Sequence, residues 1–181
     1  MIHIGIDPGF SGALATIKGV TDLEVIDMPT VSLEAGKTKS GKKKFKREYD
    51  NIGVLNFLRK YSAMAKLAQQ SIHAVVEEVH AMPKQGGVSN FSFGYGKGAL
   101  LMALAAAGIP YTRVHPRTWQ KVMLAGKSGK DKGAAVVRAS ELFPGAELYG
   151  PQGGIKDGRA DALLMAKYSQ YIHTTQGKVV S

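Results

Sequence analysis

Residues 2–7 alternate without a break: Ile2, Ile4 and Ile6 against His3, Gly5 and Asp7. This is a strand of period two, with one apolar face for a core and an acid at its end. Pro8-Gly9 stops it, and Ser11-Gly12 keeps the turn open. A chain that opens this way must cover the apolar face with another layer, and it carries a carboxylate to the end of the strand.

The following pattern supplies those layers. Residues 13–18 and 23–28 read as two more strands, giving an antiparallel meander. Residues 36–47 hold seven basic side chains with Gly and Ser, so they read as a basic mobile surface loop. Asp50 or Asn51 caps a helix marked by Ile52, Leu55, Leu58 and Ala65. Residues 72–79 form a fourth, strongly apolar strand that ends on Glu77 and Glu78. Residues 91–107 read as a helix stopped by Gly108-Ile109-Pro110. A short strand over 111–114 and helices over 117–124, 132–143 and 159–172 complete the chain. The expected fold is α/β, one domain over residues 1–181, with a mixed five-stranded sheet flanked by helices.

Composition narrows the function. The 181 residues carry 24 Lys and Arg against 14 Asp and Glu, a net charge of +10. A polyanion is therefore the expected partner. No apolar run reaches membrane-spanning length, and residues 1–10 lack the pattern of a secretory signal. The absence of cysteine excludes thiolate metal sites and fits a reducing cytoplasm.

Several acids stand where they can converge. A nuclease that uses hard cations needs a group of ionised oxygen donors around one point. Asp7 ends the first strand, and its face-mate Gly5 leaves room for a metal or a phosphate. Glu77 ends the fourth, and alternation sends Glu78 to the opposite face. Asp157 and Asp161 lie four apart, on one face of a helix starting near Asp157. Two acids so placed repel, which the helix dipole offsets in part. Asp157 alone would be an ordinary N-cap, but Asp161 runs directly into the apolar Ala162–Ala166.

These residues resemble the RuvC-type Holliday junction resolvases of the RNase H-like superfamily, in particular the short bacteriophage forms. The opening motif is Gly5-Ile6-Asp7-Pro8-Gly9. The second acid lies in Val75-Val76-Glu77, and the last motif is Ala160-Asp161-Ala162-Leu163. Lys121 and Lys132, on either side of Gly126, match the family's basic residues. The resemblance implies an RNase H-like fold and catalysis by Asp7, Glu77, Asp157, Asp161, Lys121 and Lys132. The four acids would hold two Mg²⁺ ions, with Mn²⁺ able to substitute. It further implies a homodimer acting on four-way DNA junctions and paired nicks leaving 5′-phosphates. The expected location is the cytoplasm, of a bacterium or of a phage-infected host. Two features depart from the family. The last acid pair is spaced by four residues rather than three, with Gly158 at the usual place. His80 also stands near the position of an aromatic that stacks on a base, a role that Phe91, Phe93 or Tyr95 could take.

DNA contacts are expected from Lys42, Lys43, Lys44, Lys46, Arg47, Lys84, Arg117 and Lys130, with Lys97 and Arg113 adding charge near the site. Gly94, Gly98 and Ala105 leave a narrow helix face suited to a dimer seam. Trp119 reads as core. The histidines show no paired metal spacing, and Gly126-Lys127-Ser128 lacks the glycine that a P-loop needs. The alternatives are an RNase H-like enzyme on RNA–DNA hybrid or structured RNA, an inactive junction binder, and a phosphate-binding ATPase opening. The last is disfavoured by the chain's length and charge.

Overall fold

The computed structural model describes residues 1–19, 22–78, 86–124, 126 and 133–176. The N-terminal meander consists of β1 (Ile2–Asp7), β2 (Ala13–Lys18) and β3 (Asp22–Asp27). After a hairpin of β4 (Thr30–Lys37) and β5 (Lys43–Tyr49) come α1 (Asn51–Leu67), β6 (Ile72–Glu77), α2 (Gly87–Ala106) and β7 (Tyr111–Val114). Three helices close the chain: α3 (Pro116–Met123), α4 (Ala134–Leu142) and α5 (Asp157–Gln176).

The main sheet has the order β3-β2-β1-β6-β7. Strands β1, β2 and β3 pair antiparallel, whereas β6 runs parallel to β1 and to β7. The parallel steps are possible because α1 and α2 make the crossovers. The expected mixed five-stranded sheet is therefore present. One correction concerns residues 36–47, expected as a loop. Most of them belong to β4 and β5, which form a separate two-stranded sheet, and only the stretch between the strands turns.

Both faces of the main sheet are covered. Ile2, Ile4, Ile6, Ala74 and Val76 pack with Leu58 of α1 and Leu100 and Leu104 of α2. Val75, on the other face, packs with Trp119 of α3, Ala139 of α4, and Ala160 and the run Ala162–Ala166 of α5. Asp50 caps α1, accepting from the Gly53 amide at 2.9 Å. Gly108 ends α2 at φ +67°, as the glycine stop requires.

At the end of the sheet remote from Asp7, His3 and His73 are register partners on β1 and β6. Their Nδ1 atoms both meet Ser169 Oγ, at 3.0 and 3.2 Å, and both rings contact His173. Burial first, and the neighbouring His173 second, lower each of the two to about 4. The fold thus favours their neutral forms. It loses that stability as pH falls below the ordinary value of 6.5 towards 4. Thermal melting should show a smaller loss between pH 6.5 and 4.5 for His73→Gln than for the wild type; equal losses would exclude His73 as a source of the acid sensitivity.

Candidate active site

The site is built at the ends of two parallel strands. Ile6 pairs with Val76, so β1 and β6 reach their C-terminal ends side by side. Alternation then puts Asp7 on the face that carries Gly5, and Glu77 on the face that carries Val75. That face is covered by α5, where Asp161 stands one residue before the buried Ala162. Carboxyl ends of parallel strands are where open α/β sheets place reacting groups.

Burial raises all three carboxylates, and Asp7 and Asp161 also respond to neighbouring acids. Burial first and Glu77 second raise Asp7 to about 7. Burial, then Asp7, Glu77 and Asp157, raise Asp161 to about 8. Glu77 is also raised by burial, against the opposing effects of a hydrogen bond from Trp119 and the charge of His115. Asp157 opens α5 and is exposed, close enough to act on Asp161. Partly buried acids that resist ionisation together call for a cation between them. Their donors are hard carboxylate oxygens, suited to Mg²⁺ or Mn²⁺ rather than to a soft metal. Among the described residues, no three acids or histidines already form an ion cradle, so the fit rests on donor chemistry and charge.

Three glycines decide how closely these elements approach. Gly5 was expected to leave room for a ligand, but a Cβ there would lie 1.9 Å from Ala162 O and 2.4 Å from Ala166 N. The backbone of α5 fills that space, which is how Asp161 comes over the strand ends. Gly12 lies against Asp7, and Gly158 lies against the 11–12 turn. A Cβ on Gly158 would meet Ser11 O at 2.4 Å and Gly12 Cα at 2.6 Å. No side chain fits three residues before Asp161. The nearest earlier acid, Asp157, therefore stands one position further back.

Two supports were not legible in the sequence. Trp119, fully buried as expected of a core residue, also donates its indole N–H to Glu77 Oε1 at 2.9 Å. A buried indole needs an acceptor, but nothing local says which acid supplies it. At the start of α5, Lys156 and Arg159 both bind Asp27 of β3, at 2.9 and 2.7 Å. Replacing Trp119 with Phe keeps one aromatic ring but removes the indole N–H and frees Glu77. We expect a five- to twentyfold weaker Mn²⁺ affinity in a titration of the folded variant, with the melting point lowered by several degrees because the smaller ring leaves a gap in the core. Unchanged affinity would make Trp119 a packing residue alone.

The expected DNA contacts fall in several places. Lys121 and Arg117 are exposed on α3. Lys42 lies in the turn between β4 and β5, and Lys43, Lys44, Lys46 and Arg47 lie on β5; Lys43 pairs with Glu34 and Lys46 with Glu48. Lys97 and Arg113 both bind Glu78. Lys84, Lys130, Lys132 and His80 lie outside the described residues.

No family model matches the chain. Crossover junction endodeoxyribonuclease RuvC of Zymomonas mobilis is 31% identical over 102 residues. That match spans 56% of this chain and 56% of that protein, so it covers about half of the relative's length. The structure of T. thermophilus RuvC in complex with a Holliday junction substrate aligns with a TM-score of 0.55 and 16% identity. It covers 97% of this chain and 96% of that one. The yeast mitochondrial Holliday junction resolvase Ydc2 aligns at a TM-score of 0.47 and 12% identity, over 95% and 83% of the two chains. The mixed five-stranded sheet with its flanking helices is thus the RNase H-like fold of RuvC.

Proposed function

We propose that this RuvC-like chain is a divalent-metal-dependent, structure-specific endonuclease that resolves four-way DNA junctions. The observation that carries the reading is the electrostatic coupling of Asp161 on α5 to Asp7 and Glu77 at the C-terminal ends of β1 and β6. Burial raises all three, and neighbouring acids raise Asp7 and Asp161 further, in a chain of net charge +10. The sequence match to RuvC adds the reaction class.

Asp7, Glu77 and Asp161 would hold the metal, two Mg²⁺ ions in the full site, with Asp157 contributing from the exposed start of α5. Bound Mg²⁺ supplies charge for the scissile phosphate and a water of lowered pKa. Trp119 keeps one Glu77 oxygen oriented. Lys121 and Lys132 would neutralise the phosphates beside the cut, and hydrolysis would leave a 5′-phosphate. No described helix is long and apolar enough to cross a membrane, and we place the protein in the cytoplasm with its DNA.

A junction needs two symmetric cuts, so the active form is a homodimer in this reading. The surface of α2 supports it. Phe91, Tyr95 and Met102 are 78%, 58% and 68% exposed and lie four and seven residues apart, on one helix face. Gly94 and Gly98 have open space where a Cβ would stand. An apolar stripe with room for close approach fits a second copy better than solvent.

The test is cleavage of labelled four-way junction, matched duplex and RNA–DNA hybrid in Mg²⁺, with EDTA as control. Paired, ligatable nicks in the junction alone support the reading. Preferential cutting of the hybrid would move the same acids to RNA removal, and tight junction binding without any cut would leave a binding protein.

A further inference from the structure

The β4–β5 hairpin stands outside the main sheet. Beyond its base it buries little: residues 31–37 and 39–47 are all exposed. An isolated two-stranded ribbon is marginal by itself. What holds this one is its root. Tyr49 is buried, its ring 4.7 Å from that of Phe10 and close enough to α2 that a Cβ on Gly96 would lie 2.0 Å from it. Arg47 donates from Nε to Thr30 Oγ1 at 3.0 Å and lies over the Phe10 ring at 6.0 Å.

The two faces of the ribbon differ in where they look. Register pairs share a face, and side chains alternate along each strand. Tyr49, Arg47 and Phe45 therefore lie on one side with Thr30, Ser32 and Glu34, and Lys46 and Glu48 lie on the other with Leu33 and Val31. The Tyr49 side opens on a cleft of about 570 Å³, and Phe10, Gly12, Arg47, Asp157 and Gly158 are among its lining. One ribbon face is thus continuous with the cleft that reaches the start of α5. On that face Phe45 stands about 7 Å beyond Arg47, some two steps of a stacked nucleic-acid strand. Its ring is 64% exposed.

Charge names the occupant. Residues 30–49 hold seven Lys or Arg against two Glu, a net +5, half of the chain's excess. Glu34 and Glu48 take Lys43 and Lys46. A membrane or an acidic protein would meet the charge. An exposed aromatic two residues beyond an arginine that lines the cleft suits a backbone with bases to stack.

We propose that the hairpin face bearing Arg47 and Phe45 guides an unpaired stretch of the DNA strand along this cleft towards Asp157 at the start of α5. Arg47 holds a phosphate there and Phe45 stacks on a base. The inference rests on the nuclease reading above, and it adds the element that selects unpaired nucleotides at a branch.

The test measures binding of the full-length protein, in EDTA, to labelled four-way junction, an unpaired thymidine oligonucleotide and matched duplex, across a salt series. Phe45→Ala should weaken oligonucleotide and junction binding about tenfold and duplex binding less than twofold. Arg47→Ala should weaken all three and lower the salt slope by about one. Lys46→Ala, on the opposite face, should not reproduce the loss for unpaired bases alone. Both side chains are exposed, so a thermal melt should show each variant folded. Oligonucleotide and junction binding within twofold of wild type for Phe45→Ala would overturn the proposal even if the wild type cleaves junctions. Wild-type protein that prefers no junction, but loses oligonucleotide affinity in Phe45→Ala, would sustain the hairpin's role and remove the resolvase reading. Absence of DNA binding by the wild type would end both.

Discussion

Asp161→Asn should abolish most cleavage while making the metal-free protein more stable at pH 8. The two effects share one cause. Asp161 is raised from 3.8 to about 8 by burial and by Asp7, Glu77 and Asp157. An acid with a raised folded pKa leaves the folded state binding the extra proton. Stability without a cation is therefore full below about 4 and is lost as pH climbs through the raised value. Asparagine keeps the shape and removes the charge, and Asp7 also loses a repelling neighbour. Each kcal/mol recovered should raise the melting temperature by roughly 2–4 °C in a domain of this size, so a gain of several degrees is expected at pH 8 and little at pH 5. The loss of function should be far larger. Removing one oxygen donor from the proposed metal site should lower the cleavage rate about a thousandfold or more, equivalent to about 4 kcal/mol in the barrier. Junction binding in EDTA should survive. Melting curves at both pH values and a single-turnover rate check the pair. Equal cleavage by the variant would remove Asp161 from the site; loss of cleavage with a lowered melting point at pH 8 would point to damaged packing instead.

Gly5→Ala should be the most damaging single methyl group in the protein. The added carbon would lie 1.9 Å from Ala162 O and 2.4 Å from Ala166 N. Both are backbone atoms of α5, so no side-chain rotation can clear them. The neighbours on the strand, Ile4 and Ile6, are fully buried on the opposite face, which prevents β1 from backing away. Overpacking of this kind costs about 3 kcal/mol or more, against a total stability of roughly 5–15. We expect a melting point lower by roughly ten degrees, or failure to accumulate folded protein. Because Asp161 precedes Ala162, a displaced helix also moves the carboxylate. Any folded variant should cut more slowly than its stability loss alone explains. A variant with wild-type melting and cleavage would show that the helix does not lie on Gly5.

Period and punctuation alone were enough for much of the architecture. The alternation of Ile2, Ile4 and Ile6 with His3, Gly5 and Asp7 defines β1 and sends its acid to the strand end. The apolar run before Glu77 does the same for β6, and Gly108-Ile109-Pro110 stops α2. These features depend on neighbours a few residues away, and a sequence records them directly. The hairpin escaped because its strands are rich in charged side chains and show little apolar alternation. Its pairing depends on Tyr49 finding Phe10 and Gly96, which are far off in the chain. The same holds for Trp119, whose partner Glu77 lies 42 residues earlier.

The sequence by itself determined the layered α/β plan, the basic character and the carboxylates with their local setting. Only the tertiary structure decided how those carboxylates meet. Local periodicity orients a side chain on its own element, but the distance between elements depends on what their backbones allow at contact. Gly5 lets α5 rest on β1. Gly12 and Gly158 bring the start of that helix against the first turn, leaving no room for a side chain three residues before Asp161.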